Sequence, residues 1–251
     1  PTTKDAFDSV NNWGGFVTKF FPDGSTLVYS TFIGGSYWDA GQAIAVDNKG
    51  FCYVGARTQS PDAPTTPGAY DKKFNGNFFD IADIYLVKLS PTGSSLAYAT
   101  FLGGDDDEDI FDLVLSLDGS INLVGSSSST NFPFTSNAFD KTNNDGGFIT
   151  KINSEGSSLV YSTFINGNTN GISVDKYGLA YITGSAYTNK FPTTPGVIDN
   201  TYDWYGDAFI SKLTIGKFFN INPPTLHFPV NNSTFTGTPT FSWYPPTNVM
   251  S

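Results

Sequence analysis

Five consecutive acidic residues, Asp105-Asp106-Asp107-Glu108-Asp109, form the densest chemistry-bearing stretch of the chain. Closely spaced carboxylates suit Ca²⁺, a hard cation that prefers oxygen ligands. Asp105, Asp107 and Asp109 also have the alternate spacing of a calcium loop. The match to an EF-hand is incomplete, because Ile110 stands where that loop needs glycine and no glutamate closes it. The expectation is a Ca²⁺ site at Asp105, Asp107 and Asp109, weighed against a solvated acidic loop. No other cofactor is implied.

Aromatic residues supply the second set of candidates. Trp13, then Phe78 and Phe79, then Trp204 and Tyr205 each precede a lysine-bearing strand, inside Gly/Asn/Asp loops. Rigid aromatic faces on loops can stack on sugars or anchor a partner chain. The competing reading is that they cover gaps between structural units. Lys19, Lys88, Lys151 and Lys212 recur in one phase. They could ring a ligand with positive charge, or each could reach solvent or a nearby aspartate. Asn231 and Asn232 both begin N-x-Ser/Thr tripeptides, which are glycosylation acceptors where host and compartment allow.

Other chemistries find little support. His227 is the single histidine and Cys52 the single cysteine. A His/Cys zinc cluster cannot be assembled from them, and a Ser/His/Asp triad would have to recruit His227 from outside the repeated region. Cys52 sits in the strand-like run Phe51-Cys52-Tyr53-Val54 and reads as a small buried hydrophobe. Aspartates are abundant enough to supply a glycosidase-type pair, but no pair stands out.

The elements that must position these residues are set by an internal repeat, which takes priority in any reading of fold. Gly15 to Gly55 returns as Ile84 to Gly125 and as Gly147 to Gly184, and a further copy opens as Asp207-Ala208-Phe209. The lysines are spaced 69, 63 and 61 residues apart. The motifs PTTKDAFD, PTTPGAYD, PFTSNAFD and PTTPGVID, starting at Pro1, Pro64, Pro133 and Pro192, give spacings of 63, 69 and 59. Each unit reads as four strands: Phe16–Phe20, Leu27–Gly34, Ala43–Asp47 and Phe51–Ala56 in the first copy. Turns such as Pro22-Asp23-Gly24 separate them, with proline presetting φ and glycine accepting a positive φ. A variable loop, Gly35 to Gln42, precedes the third strand. The third copy shortens that loop by four residues, and Asp47 and Asp175 align with Ser116. These departures argue against one binding site shared by all copies.

Four short antiparallel strands per unit, without helices, is the pattern of a propeller blade. The repeat resembles the SBBP family of β-propeller repeats. The likeness rests on the Phe/Tyr-Val/Leu-x-Lys strand, the run Tyr29–Gly35, the Val-Asp…Gly…Tyr-Val/Ile…Gly hairpin and the Pro-Thr-Thr-Pro-Gly-Ala-Tyr crossover. It covers about residues 1–213. It implies an extracellular or cell-envelope scaffold, with no fixed activity and no catalytic residues to carry over.

Composition agrees with an all-β chain. Charged residues are 14% of the sequence, with two glutamates against twenty-one aspartates and one arginine. Helix-forming material is scarce and strand-and-turn material plentiful. A net charge of −10 repels nucleic acid and anionic membrane surfaces, and no apolar run is long enough to insert in a membrane.

The expected organisation is a partial propeller over 1–214, with three whole blades and partial ends, then a linker over 215–226 stiffened by Pro223-Pro224. Residues 227–251 would start an immunoglobulin- or fibronectin-like sandwich around Phe241-Ser242-Trp243. Open blades lead to the expectation that the chain is part of a longer propeller or completes its ring with another chain. The expected function is an extracellular structural or adhesive scaffold of a prokaryotic surface, assembling with other protein chains. A carbohydrate-binding module and a polysaccharide-cleaving propeller are the alternatives.

Overall fold

The computed structural model describes residues 2–76, 81–144, 146–203 and 205–215, together with short strands at Leu226–Phe228 and Ser242–Trp243. All regular structure among the described residues is β. The chain divides into two compact units, Pro1–Gly216 and Lys217–Ser251.

In the first unit β1 (Gly15–Phe20) pairs with β2 (Leu27–Ile33). The strands β3 (Asp39–Val46), β4 (Cys52–Thr58), β5 (Asp83–Leu89) and β6 (Leu96–Leu102) form one antiparallel sheet in that order. A second four-stranded sheet contains β7 (Glu108–Leu115), β8 (Ile121–Ser127), β9 (Gly147–Ile152) and β10 (Leu159–Ile165). The last is three-stranded: β11 (Asn168–Val174), β12 (Leu179–Ala186) and β13 (Asp207–Thr214). In the second unit β14 (Leu226–Phe228) pairs antiparallel with β15 (Ser242–Trp243). The expected strand around Trp243 is thus present as a two-residue pairing.

The strands match the sequence repeat, but the sheets are out of phase with it. Each sheet takes the last two strands of one repeat and the first two of the next. Among the described residues the first unit accordingly has two whole four-stranded sheets, a pair and a triple, rather than three whole sheets. The proline-rich crossover lies within a sheet, between β4 and β5, and the short Gly-Gly loop passes from one sheet to the next. The third strand of the repeat also starts earlier than expected, at Asp39 rather than Ala43. A register shift between Gly41 and Ala43 absorbs the extra residue, and the same irregularity recurs at Ile110/Asp112 and Thr169/Gly171.

The first strands of successive sheets are neighbours: β3 lies against β7, and β7 against β11. The sheets stack face to face, and strand alternation serves both faces. Cys52, Val54 and Ala56 join Val17, Tyr29 and Ile33 in one apolar cluster. Tyr53, Ile84 and Leu86 face the other way, onto Ile110, Leu123 and Phe148. A third cluster joins Val124 and Ile149 to Ile172, Ile182 and Phe209. Middle strands are therefore buried on both faces, as β5 is over nearly its whole length.

The crossover motif has a specific task. In the first three copies its Thr and Asp clasp the outer edge of the pair's or sheet's last strand. Thr66 donates its backbone N–H to the Ala99 carbonyl and accepts the Ala99 N–H at Oγ1. Asp71 receives the Thr100 hydroxyl and the Phe101 N–H at its backbone carbonyl. Thr3 and Asp8 repeat this on β2, and Thr135 and Asp140 on β10. A strand edge that would otherwise invite foreign pairing is thereby covered. Gly93 and Gly156 close the Pro-Thr-Gly and Ser-Glu-Gly turns with φ of 70° and 67°. Each lies flat on a tyrosine ring of the preceding sheet, Tyr29 and Tyr98, where a Cβ would collide.

Candidate functional site

The acidic loop lies between β6 and β7, and Asp109 belongs to β7 itself. Its carboxylates do not converge. Arg57 of β4 places its guanidinium against both Asp107 and Asp109, the second at 3.2 Å. Asp107 Oδ1 also accepts the Ala82 N–H at 2.9 Å, and Asp109 Oδ1 the Gln42 amide at 3.2 Å. Among the described residues no group of three His, Cys, Asp or Glu side chains is placed to hold a metal ion. The calcium expectation is thus met by a guanidinium in the space between Asp107 and Asp109, linking the β3–β6 sheet to the next. The Asp105 backbone N–H bonds the Asn131 side chain.

Three deeply placed acids lie outside the expected calcium triad. Glu108 is fully buried at the start of β7, accepting from the Gly104 N–H at 2.9 Å and the Ser127 hydroxyl at 2.6 Å. Asp39 occupies the same position on β3, bonded by Thr58, Ser60 and the Gly35 N–H. These acids tie the inter-sheet loop to the second strand. Asp83, at the start of β5, is also fully buried. Its Oδ2 accepts the Asn75 N–H at 2.8 Å, and the Gly76 N–H also faces the carboxylate. Asp83 Oδ1 and Glu108 Oε2 both lie 2.6 Å from the point where a Gly103 Cβ would sit. The two oxygens are therefore no further apart than twice that distance. Burial, then the Glu108 charge, push the Asp83 carboxyl up to about 7. Burial likewise raises Glu108 and Asp39. The equivalent position is Gly14, Gly146 or Asp207 in the other copies, and that alternation of glycine with aspartate is the signal that could have marked it.

Three of the four lysines have a partner close by, an aromatic ring or an aspartate. The four lysines lie on the third strand of each sheet, or on β1, each with a tyrosine opposite on at least one neighbouring strand. Lys88 pairs across the ladder with Tyr53 and Tyr98. Its amine stands 4.9 Å from the Phe51 ring and 4.8 Å from that of Tyr53. Lys212 lies 4.9 Å from the Tyr181 ring. Such contacts attract a cation through the electron-rich face of the ring. Lys151 instead pairs with Asp118 at 3.3 Å.

The Asp47/Ser116/Asp175 mismatch now has a physical account. Tyr53 and Tyr181 donate their hydroxyls to Asp47 and Asp175. In the second copy both partners change together, and Asn122 donates to Ser116 at 2.8 Å. Asp118, two residues on, then supplies the negative charge that Lys151 requires.

Trp13 and Tyr205 do not fill gaps between sheets. They are 79% and 98% exposed. Phe78, Phe79 and Trp204 lie outside the described residues, as do Asn231 and Asn232. Trp13 adopts φ 67°, a left-handed conformation unfavourable for a bulky residue. At the equivalent position the fourth copy uses Gly206, at φ 95°. The Trp13 carbonyl accepts the Asp39 N–H, and the Trp38 carbonyl the Gln59 N–H, which gathers these loops at one end of the fold. Tyr37 and Trp38 are exposed there too, at 50% and 42%, with Arg57 5.6 Å over the Trp38 ring. Tyr37 and Trp38 escaped the sequence reading because they replace Asp106 and Asp107 of the next copy, so they share no repeated pattern. Cys52 is buried as expected, and burial raises its thiol. His227 falls on β14.

No family model matches the chain, and no curated protein matches it. Among solved structures, it is similar to a protein of unknown function from Bacteroides caccae, with 10% identity and a TM-score of 0.28. The match covers 68% of this chain and 62% of that one, so it spans less than two thirds of the other protein's length.

Proposed function

We propose that residues 1–216 are part of a β-propeller, and that it serves as a rigid extracellular scaffold on a prokaryotic surface, making contacts with other protein chains. The observation that carries the fold reading is the placement of β3, β7 and β11. First strands side by side, with antiparallel sheets stacked face to face behind them, is how blades surround an axis. By this count the described strands supply two whole blades, the outer half of one before them and the inner three strands of one after. The scaffold reading is supported by how the polar chemistry is used. Asp39 and Glu108 are engaged in bonds that hold loops, Asp107 and Asp109 with Arg57, and Lys151 with Asp118. Asp83 and Glu108, the closest approach to a catalytic pair, are sealed from solvent. The extracellular placement rests on the SBBP resemblance, and an immunoglobulin-like second unit is part of the same reading.

Surface labelling of intact source cells with an antibody to the folded chain tests this. Label on unpermeabilised cells supports the scaffold, and label only after permeabilisation overturns it. The exposed cluster of Trp13, Tyr37 and Trp38 favours one second reading, a carbohydrate-binding face, since rigid exposed rings stack well on sugars. Glycan-array binding lost in Trp38→Ala at unchanged melting temperature would select it over a purely structural role.

A further inference from the structure

The last sheet is built to the same plan as the other two, up to its fourth strand. No described strand lies on the outer edge of β13. In its place is an open groove of about 910 Å³, walled by β13, by the crossover after β12 and by β9 and β10. Apolar groups line it: Phe139, Ile165, Phe191, Val197 and Ile210 among them. Ile198 is fully exposed and Ile210 is 80% exposed.

The crossover here keeps one turn of the clasping copies, although the bond from Ala6, Ala69 and Ala138 to the motif's Thr carbonyl has no counterpart at Val197. In all four copies the motif's aspartate accepts, at Oδ1, the N–H of the residue two further on: Val10, Lys73, Thr142 and Thr201. In the first three copies the Thr and Asp then hold a strand. In the fourth, Thr194 and Asp199 make none of those bonds to a described strand.

We propose that this groove is an acceptor for an extended polypeptide strand with the pattern Leu-x-Tyr-Ser/Ala-Thr-Phe-Ile/Leu. The occupant's chemistry follows from the chain itself, because β2, β6 and β10 carry that pattern and fill the equivalent place. The incoming strand runs antiparallel to β13. By the register of β10 on β9, its Tyr lies opposite Lys212, its Thr opposite Ile210 and its Phe opposite Phe209. Its Ser/Ala backbone bonds Thr194, and its Thr hydroxyl and Phe N–H meet the Asp199 carbonyl. Main-chain bonds give affinity, and alternate side chains entering the groove give selectivity. The inference goes beyond the scaffold reading and does not depend on a surface location.

The test uses the full chain and a fluorescein-labelled synthetic peptide with the sequence of residues 157–166, carrying two added lysines for solubility. Anisotropy should show saturable binding, lost in a peptide with its Thr and Phe replaced by Val and Ala. The chain variant Thr194→Val should bind about tenfold more weakly, through loss of two hydrogen bonds, with its melting temperature unchanged. Absence of saturable binding overturns the proposal, including the case in which the chain's own residues beyond Ile215 occupy the groove. Binding that ignores the Thr194→Val change or the peptide substitutions also overturns it.

Discussion

Replacing Asp83 with Asn should stabilise the protein above neutral pH, which is opposite to the usual result of removing a buried hydrogen-bonded group. Asp83 binds its proton more tightly folded, where its pKa is about 7, than at the ordinary 3.8 of an unfolded carboxyl. Below about pH 4 both states are protonated and the group costs nothing. As pH rises from 4 to 7 the unfolded chain ionises first and stability falls. The full difference, reached above pH 7, is at most about 4 kcal/mol, from about 1.4 kcal/mol per pKa unit. Glu108 and Asp39 are raised by burial and add to the same slope. Asp47, Asp118 and Asp175 are held low by backbone N–H groups that outweigh their burial, so their contribution is lost only in acid, below the compared range. The amide keeps an acceptor for the Asn75 N–H and removes the charge beside Glu108. The assay is thermal unfolding at pH 5 and pH 8 for the native chain, Asp83→Asn, and the control Asp5→Asn, which removes the same charge from an exposed site. The native chain should melt lower at pH 8 than at pH 5. Asp83→Asn should recover at least about 5 °C at pH 8, taking 2–4 °C per kcal/mol for a chain of this size. The control should recover less than a third of that. If Asp83→Asn keeps the native pH slope, or melts lower at pH 8, the buried carboxylate pair is not what sets the alkaline side of stability.

Three further outcomes follow from the same geometry. Arg57→Ala should lower the urea midpoint by the equivalent of about 1–3 kcal/mol, since it strands Asp107 and Asp109 at a partly buried joint between sheets; a loss under 0.3 kcal/mol would mean the joint is held by apolar contact alone. Trp13→Gly should raise stability by about 1 kcal/mol, because it relieves a left-handed residue whose ring buries little area, and a fall in melting temperature would show that the ring packs in solution. Millimolar Ca²⁺ should leave the melting temperature of the native chain unchanged, because Arg57 already neutralises Asp107 and Asp109; a rise above about 2 °C would restore a calcium site at the loop.

The strands were legible because their signals are local. Alternation in Leu27–Ile33, glycine at the turns and the recurring lysine each report on a few neighbouring residues. The phase of the sheets was not legible, since a repeat has a period but no origin. The long crossover from Gln59 to Ala82 looks like a break between units, yet the clasp of Thr66 and Asp71 brings β5 back beside β4. Long-range polar partners were equally hidden. Asp83 and Glu108 are separated by an entire hairpin, and Arg57 reaches Asp107 from another sheet. The Lys88 aromatic contacts arise only when register sets Tyr53 and Tyr98 on either side of it. What the sequence did display was the exchange of Tyr and Asp for Asn and Ser in the second copy, a correlated pair that becomes interpretable once the ladder is known.

The offset between repeat and sheet also dictates where such a chain can be divided. A cut at the end of a repeat, after β4, leaves β3 and β4 without their outer partners on one side, and strips β5 and β6 of theirs on the other. A cut in the short Gly-Gly loops, between β2 and β3 or between β6 and β7, severs no ladder. Modular engineering of this chain, whether by permutation, splitting for reassembly or grafting of a passenger, should therefore use the glycine loops as its joints and leave the proline-rich crossovers whole.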